Sequence, residues 1–192
     1  MAANYHHGDL RRALIENGIQ LINAEGAQQL SLRRLARICG VSQAAPYSYF
    51  AGKAELLAAM QEHVTGQLMD ALTAGLDAAP DGEPAQLIAL GKAYVMFFIQ
   101  NAHYYPFLFS WPTMTIDLAE DADGSRNFPP YELLRQTALA VLGGRVRPEH
   151  MQDAIIALWS TVHGLAGIAT MKHVHYGKDW ESTLEGILRS QG

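Results

Sequence analysis

The sequence predicts an all-α protein, and three observations lead to that prediction. Apolar residues recur with the helical period of about 3.6 in most segments. In the first 50 residues, apolar and polar residues nowhere alternate with the period of two that indicates a β-strand. Gly and Pro residues divide the 192-residue chain into segments of helical length. We expect an N-terminal domain of three helices over residues 1–52, joined by a long helix to a C-terminal helical domain over residues 53–192.

The composition is that of a packed globular chain. Hydrophobic residues make up 49% of the sequence and charged residues 17%, which argues against a disordered protein. The longest dense apolar run, residues 93–99, is far shorter than the roughly 20 residues that cross a bilayer. The first residues, MAANYHHGDLRR, lack the apolar stretch of a signal peptide, and the single Cys39 cannot form an internal disulfide. We therefore expect a cytoplasmic protein.

The net charge of −5 is unevenly distributed along the chain. Residues 1–60 carry six Lys or Arg and four Asp or Glu, a balance of +2, and the remaining residues carry −7. A weakly basic N-terminal part is compatible with local contact to phosphates, because a patch and not the mean charge makes that contact. Ordinary variation in surface charge explains the same numbers, so the charge alone does not decide.

The first two helices follow from their caps and their apolar spacing. Residues 9–24 have the helical period, with Asp9 as the expected N-cap and Gly26 as the stop. Ser31 caps a short second helix, which places an apolar stripe on one side and its arginines on the other. Gly40 ends that helix, because glycine adopts the left-handed conformation without a Cβ penalty.

Ser42 is expected to cap a third helix, immediately after the turn formed by Gly40 and Val41. Two short helices joined by a turn that contains glycine make a helix-turn-helix, whose second helix enters a major groove about 12 Å wide. A plain helical hairpin in a bundle fits this pattern equally well. The spacing alone therefore leaves both alternatives open.

The segment SLRRLARICGVSQAAPYSYFAGKAELLAAM resembles the DNA-binding segment of the TetR family of one-component regulators. The shared features are a Ser-capped helix, a Gly-Val-Ser turn, a recognition helix ending in Tyr-x-x-Phe, and a Lys that opens a long helix. The preceding YHHGDLRRALIENG resembles the arm and first helix of the family, so the resemblance covers residues 5–60 closely. It implies that the DNA-contacting residues are Ser31, Arg33, Ser42, Gln43, Ala44, Tyr47, Ser48 and Lys53.

These residue types suit contacts to DNA. Arg33 matches a position that reaches a base or a phosphate, and a bidentate Arg–guanine pair contributes about 1–3 kcal/mol of discrimination. Gln43 can pair with adenine, and the Ala44 methyl can meet a thymine methyl. Tyr47 matches a family tyrosine whose hydroxyl contacts phosphate. Lys53 at a helix N-terminus opposes the macrodipole, and a bound phosphate would reverse that unfavourable sign.

Pro46 departs from the common family pattern, which has Leu at this position. Proline removes a backbone donor and disfavours helical geometry at the residue before it. We therefore expect a recognition helix that is tighter or starts differently, and this leaves the exact set of base contacts open.

A second helical module follows. The segment PDGEP, residues 80–84, interrupts the helical pattern. Residues 103–112 are rich in aromatic residues and are interrupted by prolines. Residues 117–127 are acidic and predict an exposed loop. Helices are expected over residues 53–78, 84–101, 130–142, 148–169 and 179–189, of which the second is apolar on nearly all sides and therefore central in the core.

The aromatic residues of this module either fill the core or line a ligand cavity, and the sequence leaves both alternatives open. The segment LWSTVHGLAG, residues 158–167, resembles the Trp–His–Gly segment of one C-terminal subgroup of the family. Its Gly164 and Gly167 would let another backbone approach closely. The expected pocket residues are Tyr94, Phe98, Asn101, His103, Phe109, Trp111, Trp159 and His163.

The resemblance implies a sequence-specific, DNA-binding transcriptional regulator, in most family members a repressor that responds to a ligand. It also implies a homodimer through the helices of residues 148–169 and 179–189. A palindromic operator in double-stranded DNA requires two recognition helices about one helical turn apart, which a dimer supplies. The effector is a small molecule that the sequence does not identify. The alternative is a helical protein-interaction module without DNA binding.

An enzyme would need a nucleophile with its base, a metal site or a phosphate-binding loop. The sequence has no nucleophile motif, no HExxH and no Gly-rich phosphate loop. His173 and His175 have the spacing of a metal pair but lack an obvious third ligand. We therefore expect no catalysis, no cofactor and no metal.

Overall fold

The structure is a computed structural model that describes residues 7–109, 114–119 and 127–190. Within these residues the regular structure is helical, apart from one isolated bridge between Gly143 and Val146, which confirms the predicted all-α fold. In chain order the elements are α1 His7–Glu25, a 3-10 turn Ala27–Gln29, α2 Leu32–Ile38, a 3-10 turn Ala45–Ser48, α3 Lys53–Asp77, α4 Pro84–Gln100, α5 Tyr104–Phe109, α6 Pro129–Leu142, a 3-10 turn Pro148–His150, α7 Met151–Thr170 and α8 Trp180–Arg189.

The chain forms two compact units. The described residues of 1–64 and 106–110 form the N-terminal unit, and those of 65–105 and 111–192 form the C-terminal unit. The boundary near residue 64 falls inside α3, so the long helix predicted after residue 52 contributes residues to both.

The N-terminal unit has its own apolar core. α1 begins at His7, two residues before Asp9, so the prediction that Asp9 caps this helix is wrong. A cap residue has non-helical backbone, whereas Asp9 already lies within the helix. Gly26 follows the end of α1 with φ 86°, which confirms it as the stop. The largest fully buried side chains of this unit are Leu14, Ile15, Ile19, Leu35, Phe50, Leu56, Met60 and Phe107.

α4 packs against α6, α7 and α8 in the C-terminal unit, which confirms the central position predicted for it. Gly91 permits this close packing, because a Cβ there would lie 3.1 Å from side-chain atoms of Val162 and Leu188. The buried residues of α4 are Leu90, Gly91, Tyr94, Val95, Phe97 and Phe98.

Three segments differ from the predictions. The aromatic segment expected to be broken by prolines forms α5, because Pro106 stands in the first turn, where no N–H partner is needed. The loop of residues 117–127 is not exposed throughout: Asn127 is buried, and its amide bonds to the backbone N–H and carbonyl of Asp117 at 3.0 Å each. The helix predicted from residue 148 opens instead with the 3-10 turn Pro148–His150.

Candidate functional site

The end of α2 depends on the backbone conformation of Gly40. Gly40 has φ 67°, and its N–H donates to the Arg37 carbonyl at 3.2 Å. The next N–H, that of Val41, donates to the Ala36 carbonyl at 2.9 Å. These two bonds make a Schellman motif, which confirms Gly40 as the residue that ends the helix. The chain is thereby turned out of the α2 direction immediately before the segment predicted to contact DNA.

The predicted recognition helix is a single 3-10 turn, Ala45–Ser48. The prediction that Ser42 caps an α-helix here is wrong, since the residue preceding the turn is Ala44 and no side chain caps it. Pro46 supplies the physical reason, because it offers no N–H and disfavours α-helical geometry at the residue before it. Its carbonyl accepts hydrogen bonds from the N–H groups of residues 49 and 50 at 3.0 and 3.1 Å.

The three arginines of α2 have different environments. Arg34 is paired with other residues of the N-terminal unit: its Nη2 donates to Glu25 Oε1 at 2.5 Å and its Nη1 to Gln29 Oε1 at 3.2 Å. Arg33 and Arg37 are four residues apart and exposed, and neither pairs with any residue that the structure describes. Residues at this spacing share one helix face. Two cations on this face are therefore available to an anionic partner.

Lys53 makes a structural contact that the sequence did not predict. Its Nζ donates to the Ala27 carbonyl at 2.6 Å and so ties the start of α3 to the turn between α1 and α2. Glu55 lies in the same first turn of α3, and its carboxylate accepts a hydrogen bond from the Ala51 N–H at 2.5 Å. An ammonium group carries three donors, so the Ala27 contact leaves two for a phosphate.

The remaining predicted DNA contacts lie on or beside the 3-10 turn, apart from Ser31. The Ser31 Oγ accepts the Arg34 N–H at 3.2 Å, which confirms this residue as the cap of α2. Tyr47 is 50% exposed, so its hydroxyl is accessible to a partner. Arg37 is an exposed residue that the sequence analysis did not single out, since there it was only one of the arginines opposite the apolar stripe. We define the reading surface as the exposed residues Arg33, Arg37, Ser42, Gln43, Ala44, Tyr47 and Ser48.

Four of the predicted ligand-pocket residues pack together in the C-terminal unit. The Trp159 ring lies 5.3 Å from the Tyr94 ring and stacks at 5.5 Å on the His163 ring. The Phe98 ring meets the Tyr94 ring edge to face at 5.1 Å. We call Tyr94, Phe98, Trp159 and His163 the aromatic cluster.

A polar network runs through the aromatic cluster. The Tyr94 hydroxyl lies 3.1 Å from His163 Nδ1, and the Tyr105 hydroxyl lies 3.1 Å from His163 Nε2. The Tyr105 hydroxyl also donates to the His163 backbone carbonyl at 3.1 Å. Because a hydroxyl has only one proton, Nε2 carries the ring hydrogen and donates to Tyr105, and Nδ1 accepts from Tyr94. Burial lowers the pKa of His163 and raises that of Tyr94, so both groups favour their neutral forms.

Sequence reasoning missed Tyr105 as a member of this network. It lies 58 residues from His163 along the chain, so no local spacing relates the two. The residue type alone pointed only to an aromatic segment.

The other predicted pocket residues have different positions. Asn101 ends α4, where its Nδ2 donates at 2.9 Å to the carbonyl four residues earlier. The His103 ring lies 4.2 Å from the ring of the next residue. Phe109 belongs to the N-terminal unit, and Trp111 lies outside the described residues.

A separate cavity of about 330 Å³ lies between the end of α6 and the start of α7. Its walls include Leu139, Val146 and Ile155, and none of the predicted pocket residues that the structure describes lines it. Arg135, also on its wall, is held by Glu132 through a 3.0 Å ion pair. The hydrogen bonds from that arginine lower the pKa of Glu132, so the pair is charged at neutral pH.

We expect acid to destabilise the C-terminal unit through His163. Its pKa is lowered in the folded chain, whereas an unfolded histidine titrates near about 6.5. As the pH falls below that value, the unfolded state binds a proton that the folded state does not yet bind. The free energy of unfolding therefore decreases until the pH reaches the lower pKa of the folded state. Urea unfolding between pH 8 and pH 5 measures the effect.

The His163→Gln variant separates this contribution from that of the other seven histidines of the chain. We expect its stability to change less with pH over the same range. A pH dependence identical to that of the unmodified chain would show that His163 does not titrate with folding.

Two family models match the chain. The model described as "Bacterial regulatory proteins, tetR family" matches residues 14–60. The model described as "Tetracyclin repressor-like, C-terminal domain" matches residues 87–190, which is more than half of the chain.

Curated relatives match over a shorter stretch. The HTH-type transcriptional regulator BetI of Klebsiella pneumoniae (strain 342) is 38% identical over 76 residues, which is 40% of this chain and 39% of the relative. BetI of Escherichia coli (strain K12 / DH10B) is 37% identical over the same length. The matched stretch thus spans about two fifths of these relatives.

Solved structures match over nearly the whole chain. A protein of unknown function from Rhodococcus sp. RHA1 has a TM-score of 0.72 at 25% identity and covers 98% of this chain and 96% of its own. A bacterial regulatory protein in the tetR family from Rhodococcus RHA1 has a TM-score of 0.69 at 16% identity and covers 94% of each. The second likeness establishes the fold alone.

Proposed function

Because the chain belongs to the tetR family of bacterial regulatory proteins, we propose that it is a DNA-binding transcriptional repressor that responds to a small-molecule effector. The family is one of regulators and not of enzymes. Residues 1–52 are the proposed DNA-binding domain, and residues 53–192 the proposed effector-binding and dimerisation domain. We place its action in the cytoplasm, on a palindromic operator.

The observation that carries this proposal is the reading surface. Arg33 and Arg37 are exposed and unpaired among the described residues, whereas Arg34 between them is held by Glu25 and Gln29. Cations that the fold leaves unneutralised beside an exposed polar turn suit a phosphate backbone and base edges together. Ile38 and Tyr47 are also exposed in this segment, so the unpaired cations, and not the amount of exposed apolar surface, favour DNA over a partner protein.

A selection from random duplex DNA at defined salt tests the function. We expect enrichment of a palindromic consensus, and an affinity for it that falls as salt rises because counterions are released from the phosphates. The same selection with an Arg33→Ala/Arg37→Ala variant serves as the matched control. Failure of the unmodified chain to enrich any sequence above a nonspecific background would contradict the proposal.

α7 supports the proposed dimer interface. Ile155, Trp159 and Val162 of this helix are buried, while the opposite side carries an exposed stripe of Ala157, Ser160, Gly164 and Ile168. Pro148–Thr170 is also long and apolar enough to cross a membrane, judged by its length and a mean hydropathy of 1.2 alone. Of its 18-residue apolar stretch, 22% is buried within the chain. We propose that a second copy of the chain covers this side, as the family implies.

α8 and the glycines sharpen this assignment. A Cβ at Gly164, or at Gly186 on the exposed side of α8, would meet no atom within 4 Å, so both positions leave room for a partner backbone. A Cβ at Gly167 would lie 2.8 Å from the Tyr105 hydroxyl oxygen. The space beside Gly167, where we expected another backbone to approach, is therefore occupied by the Tyr105 side chain of the same unit.

We expect Ile168→Asp to weaken self-association by at least tenfold. Ile168 is 45% exposed, and in a two-fold dimer the substitution would place two carboxylates, one from each copy, in one apolar interface. Sedimentation over a range of concentrations measures the dissociation constant. Leu139→Asp is the matched control, because Leu139 is 41% exposed but lies on α6. Equal dissociation constants for the Ile168→Asp and Leu139→Asp variants would rule out the α7 stripe as the interface.

The proposed response to effector is a shift between two conformations of the dimer. An effector that favours a spacing of the two reading surfaces unsuited to successive major grooves would release the DNA. Coupling energies of this kind are typically about 1–3 kcal/mol. Operator affinity measured with and without a candidate effector gives the coupling directly.

A further inference from the structure

The side chain of Tyr105 fills a phenol-shaped space within the C-terminal unit. Its ring meets Phe98 edge to face at 5.3 Å and lies 5.2 Å from the His163 ring. Gly167 makes room at the polar end, where a Cβ would lie 2.8 Å from the Tyr105 hydroxyl oxygen. We call the groups around it, Phe98, His163 and Gly167, the phenol site.

The polar end of the phenol site requires a group that donates and accepts at one atom. The His163 carbonyl accepts a hydrogen bond from the Tyr105 hydroxyl, and His163 Nε2–H donates to the Tyr105 hydroxyl oxygen. A carboxylate or ketone cannot donate there, and an ammonium group cannot accept. Trp159 stacks on the His163 ring at 5.5 Å, and the Tyr94 hydroxyl donates a hydrogen bond to His163 Nδ1. These two contacts fix the orientation of the imidazole.

Tyr105 differs from Tyr94 in its access to solvent. Tyr94 is buried, whereas Tyr105 is half-buried, so Tyr105 is the one of the two side chains that a ligand arriving from solvent could replace. We propose that the effector is a phenol, an aromatic ring bearing a hydroxyl, which displaces the Tyr105 side chain and takes its hydrogen bonds to His163. This inference rests on the proposed function, because it assigns the chemistry of the effector that the regulator would sense.

The tethered Tyr105 side chain competes with any such ligand. A group held by a short tether acts at an effective concentration in about the millimolar range or above. A small phenol therefore binds the unmodified chain weakly, and an effector needs additional apolar surface beyond one ring. Removal of the Tyr105 side chain removes the competitor and leaves the site open.

The test is binding of p-cresol, the side-chain analogue of tyrosine, to Tyr105→Ala by isothermal titration calorimetry. We expect p-cresol to bind Tyr105→Ala at least tenfold more tightly than it binds the unmodified chain. Toluene, which lacks the hydroxyl, is expected to bind that variant at least tenfold more weakly than p-cresol. Tyr176→Ala is the matched control, since Tyr176 is an exposed tyrosine of the same unit, and it is expected to behave as the unmodified chain.

Two results would overturn the proposal: no gain in p-cresol affinity on Tyr105→Ala, or toluene binding as tight as that of p-cresol. If Tyr105→Ala does not fold, the test moves to the unmodified chain and the ring nitrogens of His163, observed by NMR. Because the Tyr105 side chain competes, p-cresol is added well above its roughly millimolar effective concentration. The His163 resonances are then expected to shift with p-cresol and to stay unchanged with toluene at the same concentration. Absence of that shift would also overturn the proposal.

The phenol site and the regulatory function can fail separately. If the selected DNA shows no specific binding while Tyr105→Ala discriminates p-cresol from toluene, the site stands and the repressor function fails. If operator binding is specific while the p-cresol tests fail, the repressor function stands and a phenolic effector is wrong.

Discussion

Arg33→Ala is expected to weaken operator binding by roughly 30-fold to 10⁴-fold, since each bidentate arginine contributes about 1–3 kcal/mol and a dimer loses two. Arg33 is exposed and unpaired among the described residues, so its removal breaks no hydrogen bond or ion pair there, and we expect the fold to be kept. Fluorescence anisotropy with the selected operator at one salt concentration measures the loss. Discrimination against a scrambled duplex is expected to fall together with affinity.

Two matched arginine variants separate a lost DNA contact from a lost charge and from a loss of stability. Arg145→Ala removes the same charge from an exposed position in the C-terminal unit and is expected to leave operator binding unchanged. Arg34→Ala removes the ties to Glu25 and Gln29, so we expect it to lower thermal stability as well as affinity. Operator affinity equal to that of the unmodified chain in Arg33→Ala would remove this residue from the reading surface.

Phe98→Ala is expected to lower the free energy of unfolding by about 3–5 kcal/mol, the range for large aromatic residues deleted from a core. Phe98 is 0% exposed, and its ring packs edge to face against the rings of Tyr94, Phe97 and Tyr105. The surrounding helices cannot close the resulting cavity fully. Urea denaturation at one fixed protein concentration measures the change, since the proposed dimer would make stability depend on concentration.

Tyr47→Ala is the matched control for this deletion of a ring. Tyr47 is half-exposed in the N-terminal unit, so its loss is expected to change stability by no more than about 0.5 kcal/mol, as at other surface positions. The two variants thus separate a core aromatic residue from one on the reading surface. A similar stability loss in both would contradict the burial of Phe98 or the exposure of Tyr47.

Local signals in the sequence were enough for most helix positions. Ser31, Gly26 and Gly40 each act through their own backbone and nearest neighbours, and all three were predicted correctly. Ser42 was predicted wrongly because Pro46, four residues later, determines the turn type through its missing N–H. The reservation attached to Pro46 pointed to the right residue, but the length of the remaining 3-10 turn does not follow from sequence.

Contacts between distant residues were beyond the same reasoning. The ties from Lys53 to Ala27 and from His163 to Tyr105 join residues 26 and 58 positions apart, and no periodicity encodes them. Arg33 and Arg34 look equivalent in sequence, and only the position of Glu25 in the folded chain distinguishes the paired one. The predicted residue types were therefore informative, while their partners required the fold.

The Pro46 turn also bears on the thermodynamics of recognition. A proline that restricts the free chain, together with the hydrogen bonds to its carbonyl, gives the unbound turn a defined shape. Association with DNA would then proceed without a coupled ordering step in this segment, whose signature is a large negative heat-capacity change. The binding enthalpy should therefore change little with temperature, and the entropy lost on ordering this segment should lower the affinity only slightly.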